Sequence, residues 1–370
     1  MIPLNRPAII GTRSRGLRGV ARTYFAVLVR TPGPRRRSRR SATPHCSFEK
    51  IASPDLADDE TVLGVIEHRT GHSGVALIDG RPHTAVHTTT DESESFAEVW
   101  RVAGPKESGS HGGIAWARTA DYLFGVARVP EGDRYADGTA AVYTGIFDLI
   151  GELGHLRLAR TWNYVSGINT LNADGMEVYR DFCVGRAEAL DARGVEPAGM
   201  PAATGIGTHG GGIACYFLAA RAGERVNLEN PAVLTAHRYP RQYGPRPPIF
   251  ARATWLAPPG SDDGRLYVSA TAGIRGHETV HHGDVARQCD VALENIAQVI
   301  SAENLRRHGL RRGYTLADVD HLKVYVRHRE DVRAVRRICA ERFSREATVA
   351  VLHTDIARTD LLVEIEGVVA

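Results

Sequence analysis

From about residue 114 onward the chain sets out the same order of elements twice, and few folds accommodate that repetition. In the first pass YLFGVARV at 122–129 reads as a strand, an apolar-periodic segment covers 140–154, and ARTWNYV at 159–165 is a second strand. A segment at 176–190 and a closing strand, IACYFLAA at 213–220, complete it. The second pass runs RLYVSATAGI at 265–274, a helix at 284–300, HLKVYVRH at 321–328, a helix at 331–343 and LLVEIEGVV at 361–369. Val285, Cys289, Ala292, Ile296 and Val299 recur at helical spacing, so that helix buries one stripe. Tyr164 and Tyr325 fall in corresponding strands, Cys183 and Cys339 in corresponding helices, and Lys323 answers to Arg160. Each pass predicts strand–helix–strand–helix–strand, with helices packed on one face of a mixed sheet: an α+β chain of tandem halves. Further strands at 61–68 and 74–80 precede the repeat. The expected organisation is a disordered basic extension over 1–45, a first half with added strands over 46–248, and a second half over 249–370.

The net charge of +3 conceals an uneven distribution. Residues 1–48 hold eleven arginines and no acid, leaving 35 basic and 43 acidic residues for the rest. A folded part this acidic argues against nucleic acid as a partner. No apolar run approaches the roughly 18–20 residues of a membrane span. Five cysteines, odd in number and never spaced as CxxC, fit reduced thiols in a cytoplasm and neither a disulfide frame nor a zinc cage.

Two motifs match well-known patterns without their context. HETVH at 277–281 has the HExxH spacing, but it lies between a strand and a helix, flanked by Gly276 and Gly283. Two histidines reach one zinc only from a helix, so surface loop histidines are the better account. HGGG at 209–212 imitates an oxyanion-hole motif, yet no GxSxG elbow accompanies it. Neither a Walker A nor a GxGxxG pattern is present, so a nucleotide cofactor has no support.

The last strand, DLLVEIEG at 360–367, carries the most informative side chain. Leu361, Val363 and Ile365 share one face, and Leu362, Glu364, Glu366 and Val368 the other. A carboxylate held among Leu, Val and Ile keeps its proton at neutral pH, as general acid chemistry requires. An even face turned to water is the alternative that the strand alone leaves open.

The second half, ending in LLVEIEGVVA, resembles the RidA/YjgF-like fold, in which ligands sit in clefts between subunits. That family's deaminases carry an arginine before the last strand; Val349 stands there in this chain, which tells against imine deamination. From about Cys46 onward the sequence resembles, more specifically, the chorismatases, built from RidA-like halves. The segments that carry this include FEKIASPDL at 48–56, ARTWNYVSGIN at 159–169, YRDFCVGRAEALD at 179–191, PAATGIGTHGGG at 201–212, YGPRPPIFARATW at 243–255 and HTDIARTDLLVEIEG at 353–367. The resemblance implies release of pyruvate from chorismate, with Glu364 as catalytic acid and no metal or redox cofactor. It further implies that Ala270 and Ala357 decide the product. The branch that makes 3-hydroxybenzoate has glycine and cysteine at those positions, so the two alanines point to the hydrolytic branch, which supplies starter units for rapamycin- and ascomycin-type polyketides. The 3-hydroxybenzoate chemistry and a non-catalytic RidA-like ligand-binding module are the competing readings.

Chorismate is a dianion, and two carboxylates call for fixed cations, preferably arginines. Arg160, Arg246 and Arg252 are the expected clamps, with Tyr243 as a hydroxyl partner, Lys323 as a further cation and Asn163 as a hydrogen-bonding group. Because duplication within one chain can supply the cleft that RidA-like proteins form between subunits, a monomer is expected.

Overall fold

The structure, a computed structural model, describes residues 43–369 except 52–55, 57–58, 155, 222–223, 259 and 262. The extension expected over 1–45 lies outside the described residues up to position 42. Its last three positions belong to the fold instead. Thr43 and Pro44 are buried, the Pro44 carbonyl accepts from the Tyr267 hydroxyl at 2.7 Å, and His45 opens the first strand.

The segment ahead of the repeat makes a sheet of its own. Its strands β1 (His45–Glu49), β2 (Val62–Arg69), β3 (Ala76–Ile78), β4 (Arg81–His87) and β5 (Phe96–Arg101) lie in the order β1-β5-β2-β4-β3. The first pass of the repeat supplies β6 (Glu107–His111), β7 (Ile114–Arg118), β8 (Tyr122–Val129), α1 (Ala136–Glu152), β9 (Arg157–Ser166), α2 (Val178–Ala192), β10 (Ala202–Thr208) and β11 (Ile213–Ala220). Their sheet order is β10-β9-β11-β8-β7-β6.

The second pass supplies β12 (Glu224–Leu228), β13 (Ala253–Ala257), β14 (Arg265–Ala272) and the small hairpin β15 (Ile274–Arg275) and β16 (Glu278–Thr279). Then come α3 (Val285–Ile300), α4 (Ala302–Arg307), β17 (Val319–Val326), α5 (Val332–Arg342), β18 (Thr348–His353) and β19 (Val363–Val369). The order β12-β13-β14-β19-β17-β18 matches the other six-stranded sheet strand for strand. In each, only the β9–β10 or β17–β18 edge pair is parallel, because a helix crosses between those two strands. The edge strand β12 starts at residue 224, ahead of the division expected at 248/249.

Each unit holds three strands more than the predicted pattern: two at its start, β6 and β7 or β12 and β13, and one just ahead of its last strand. β10, AATGIGT, is rich in Ala and Gly and has little strand propensity of its own; pairing with β9 from Ala202–Arg160 to Thr208–Ser166 holds it extended. β18 is its counterpart beside β17. The Tyr164 and Tyr325 hydroxyls meet at 2.8 Å, which joins the corresponding strands directly. With these tyrosines matched, Lys323 answers to Trp162, not to Arg160, and Glu364 answers to Ala214.

Helices cover one face of each six-stranded sheet. Val363, Ile365 and Val369 of β19 pack with Cys289, Ile296 and Val299 of α3 and with Val335 and Cys339 of α5. The other faces share a core with the N-terminal sheet, where Trp100, Trp162, Tyr164, Tyr216 and Tyr325 are fully or almost fully buried. The even-numbered residues of β19 turn toward this side, so Glu364 and Glu366 enter protein and not water. HETVH includes strand β16 and no helix, as its flanking glycines imply. No helix among the described residues is long and apolar enough to cross a membrane.

Candidate active site

Two local features set the geometry around Glu364. The β14–β19 pairing slips by one residue between Val268 and Thr271, a bulge that redirects Ser269 and Ala270. On the other side, the chain ahead of β19 is tied to β10: the Gly207 N–H donates to the Asp355 carbonyl at 2.8 Å, and Ile206 bridges Ile356. A Cβ at Gly207 would come within 2.6 Å of that carbonyl oxygen, so glycine is what permits the approach. Arg327 braces the same segment, donating to the carbonyls of Leu361 at 2.7 Å and Arg358 at 2.9 Å and pairing with Asp355 at 2.9 Å.

The result is a cavity of about 390 Å³ between the two repeat units. The first turn of α2 contributes Tyr179 and Arg180. Tyr239, Tyr243, Phe250 and Arg252 come from the segment that leads into β13, and Ala270, Ala357, Arg358 and Glu364 close the site.

Glu364 is 9% exposed, and among the described residues none hydrogen-bonds its carboxyl. Burial pushes its pKa up to about 8, against the opposing pull of Arg358, Arg327 and Arg252. The group is therefore mostly protonated at neutral pH and faces the cavity. Two residues on, Glu366 behaves in the opposite way. Burial opposes its ionisation too, but Lys323 at 2.7 Å and Arg160 at 2.5 Å hold its pKa below the usual carboxylate range.

Two arginines present unused donors at the site. Arg252 is buried; its Nη2 serves the Leu234 carbonyl at 2.7 Å and the Tyr239 hydroxyl at 2.9 Å, while its Nε is buried without a partner. Arg358 adopts a left-handed backbone (φ 68°), and its guanidinium lies 3.9 Å from the centre of the Tyr243 ring. Its Nη1 donates to the His277 carbonyl at 2.9 Å, and its Nη2 is buried and unpartnered. Tyr243 lines the cavity as a platform for Arg358, and its hydroxyl, expected to partner the substrate, donates to the His277 carbonyl at 2.8 Å. Sequence reasoning passed over Arg358, Arg180, Tyr179 and Tyr239. Arg358 stands in the HTDIARTDLLVEIEG segment, six residues before Glu364, which is the signal that could have found it.

Four expected binding residues lie elsewhere. Arg160 and Lys323 do not line this cavity. They belong to a buried network in which Glu366 also accepts from Thr204, Trp162 and Tyr325, and Lys323 additionally pairs with Glu98 at 2.8 Å. Glu98 in turn meets His68 at 3.2 Å and the Tyr216 hydroxyl at 2.9 Å. Two carboxylates and two cations satisfy one another there, which leaves no charge for a substrate. Arg246 is partly exposed and pairs with Asp191 at 2.6 Å, away from the cavity lining. Asn163 is spent on protein partners, accepting from the Tyr143 hydroxyl at 2.8 Å and donating to the Thr204 carbonyl at 3.0 Å.

Residues 98–219 match the family described as chorismatase FkbO/Hyg5-like, N-terminal. A chorismatase of Streptomyces rapamycinicus is 82% identical over 327 residues, 88% of this chain and 98% of that protein. A chorismatase of Streptomyces hygroscopicus is 70% identical over 88% of this chain and 94% of its own length. A 3-hydroxybenzoate synthase of Streptomyces hygroscopicus is 47% identical over 83% of this chain and 91% of its own. A crystal structure of a chorismatase superimposes with a TM-score of 0.86 at 70% identity, covering 89% of this chain and 99% of that one.

Proposed function

As a member of the chorismatase family the chain is an enzyme that acts on chorismate, and we propose that it hydrolyses the enolpyruvyl ether to pyruvate and trans-3,4-dihydroxycyclohexa-1,5-diene-1-carboxylate. The observation that carries this reading is one carboxyl group, Glu364, buried, raised to a pKa of about 8 and facing a 390 Å³ cavity. Hydrolysis of an enol ether is limited by protonation of its terminal carbon, and a neutral acid beside that methylene supplies the proton. The oxocarbenium ion that forms is stabilised by the carboxylate left behind. Water then adds to the cationic carbon and returns a proton to Glu364. Collapse of the hemiketal breaks the bond to the ring oxygen, which takes the remaining proton.

Arg252 and Arg358 are the groups that would hold the substrate carboxylates, each with a buried N–H aimed at no protein acceptor. Ala270 and Ala357 both line the cavity. Small apolar side chains there leave room for water beside the ring and offer no thiol. The diol they favour would serve as a polyketide starter unit. Incubation of the purified protein with chorismate tests the reading. Stoichiometric pyruvate with the ultraviolet spectrum of a cyclohexadiene is expected. The spectrum of an aromatic acid would assign the 3-hydroxybenzoate branch, and no pyruvate would leave only a ligand-binding role.

A further inference from the structure

Behind Glu364 lies a second, smaller space of about 50 Å³. Tyr179, Phe250, Ala270, Ala357 and Glu364 line both it and the main cavity, so these five side chains form the partition between the two. Its far wall carries Arg186, on α2. α2 is seated by Gly185, where a Cβ would lie 1.9 Å from the Ala136 carbonyl oxygen of α1.

Arg186 is 4% exposed, and both its Nε and its Nη2 are buried without a hydrogen-bond partner. No acid pairs with it among the described residues; the Tyr143 ring lies 5.1 Å from its Cζ. A buried guanidinium with unmade hydrogen bonds is costly enough that some acceptor should fill the space beside it. Asn163, which also lines the chamber, is satisfied by protein at its carbonyl and through its amide. The unmet capacity at the chamber therefore includes the Nε and Nη2 donors of Arg186 and the carboxyl of Glu364.

We propose that this chamber holds the water consumed in the reaction, and that Arg186 is the residue that keeps it there. The inference rests on Glu364 acting as the proton donor. Water is both acceptor and donor, so one molecule can accept from the guanidinium and donate to the carboxylate that protonation of the substrate leaves behind. A substrate carboxylate in the same place would instead set two anions side by side. The volume admits a few waters and is about one-eighth of the cavity that receives the substrate. In the step itself the water oxygen bonds to the cationic carbon as its proton passes to Glu364. Ala270 and Ala357, in the partition, leave the way open.

The test compares Arg186→Met and Ala203→Val with the wild type, the second variant filling the chamber from β10 while leaving the guanidinium in place. Loss of a charge-assisted hydrogen bond to the reacting water should lower kcat for pyruvate release about tenfold or more, with KM changed by no more than about twofold. A high-resolution crystal structure of the wild type should show a water within hydrogen-bond distance of Arg186 Nε or Nη2, which tests the idea even if both variants fail to fold. A raised KM with kcat intact would mean that Arg186 holds a substrate carboxylate, and either that result or a dry chamber overturns the proposal. So does normal turnover in both folded variants. A wild type that releases no pyruvate would instead sink the functional reading on which this rests.

Discussion

Glu364 and Glu366 stand two residues apart on one face of β19 and are driven to opposite charge states by what surrounds them. Glu366 has two cations within hydrogen-bonding distance, while Glu364 has arginines acting only through space. Such a split between neighbouring carboxyls is what separates a proton donor from a structural ion. The pH dependence follows with a definite sign. Only the protonated form can donate, so kcat should be flat below a pH of about 8 and fall roughly tenfold per unit above it. A profile rising through that range would place the proton elsewhere. For the clamps, Arg252→Ala and Arg358→Ala should each raise KM for chorismate by about ten- to a hundred-fold. Arg246→Ala should leave it unchanged, since that side chain pairs with Asp191 outside the cavity; a matching loss in Arg246→Ala would contradict this assignment. The strand alone left Glu364 open to a solvated reading; the family resemblance singled it out, and its burial at the cavity depends on the sheets packed around it. Arg160 and Lys323 were legible only as cations: Arg160 meets Glu366 across 206 residues of sequence, a pairing that no local pattern announces.

At the scale of elements, the repeat was readable because apolar periodicity is a local property, and it matches β8, β9, β11, β14, β17, β19 and the long helices. β10 was not, since its Ala- and Gly-rich sequence is held extended by its neighbour. That strand proves essential to the site, because it anchors the segment bearing Ala357 and Arg358 through Gly207. The bulge in β14 was equally invisible, being a mismatch between two strands and not a property of either. It brings Ala270 to the same partition as Ala357, where both line the main cavity and the smaller space behind it. Exchange of this pair, Ala270→Gly with Ala357→Cys, should therefore divert product toward 3-hydroxybenzoate, as seen in the ultraviolet spectrum. An active double variant that still yields only the diol would show that these two positions do not control the outcome.

Over the whole molecule, duplication places the cleft within one polypeptide. The first turn of α2 and the residues around β14 and β19 come from different repeat units, yet line one cavity. Alanine at position 214, where the other unit carries Glu364, leaves a single acid of this kind per chain. Because both repeat units that line the cavity belong to one chain, light scattering after size exclusion should give the mass of a monomer, about 40.3 kDa; a stable trimer at micromolar concentration would contradict this. The fold's central consequence is that one buried carboxyl, Glu364, faces the cavity with its pKa raised to about 8, and the proposed reaction uses it as proton donor. Turnover of chorismate by Glu364→Gln tests that most directly, because the amide keeps shape and neutrality but has no acidic proton to give to carbon. Pyruvate release should fall at least about a hundred-fold with little change in binding, whereas turnover near that of the wild type would contradict the mechanism at its first step.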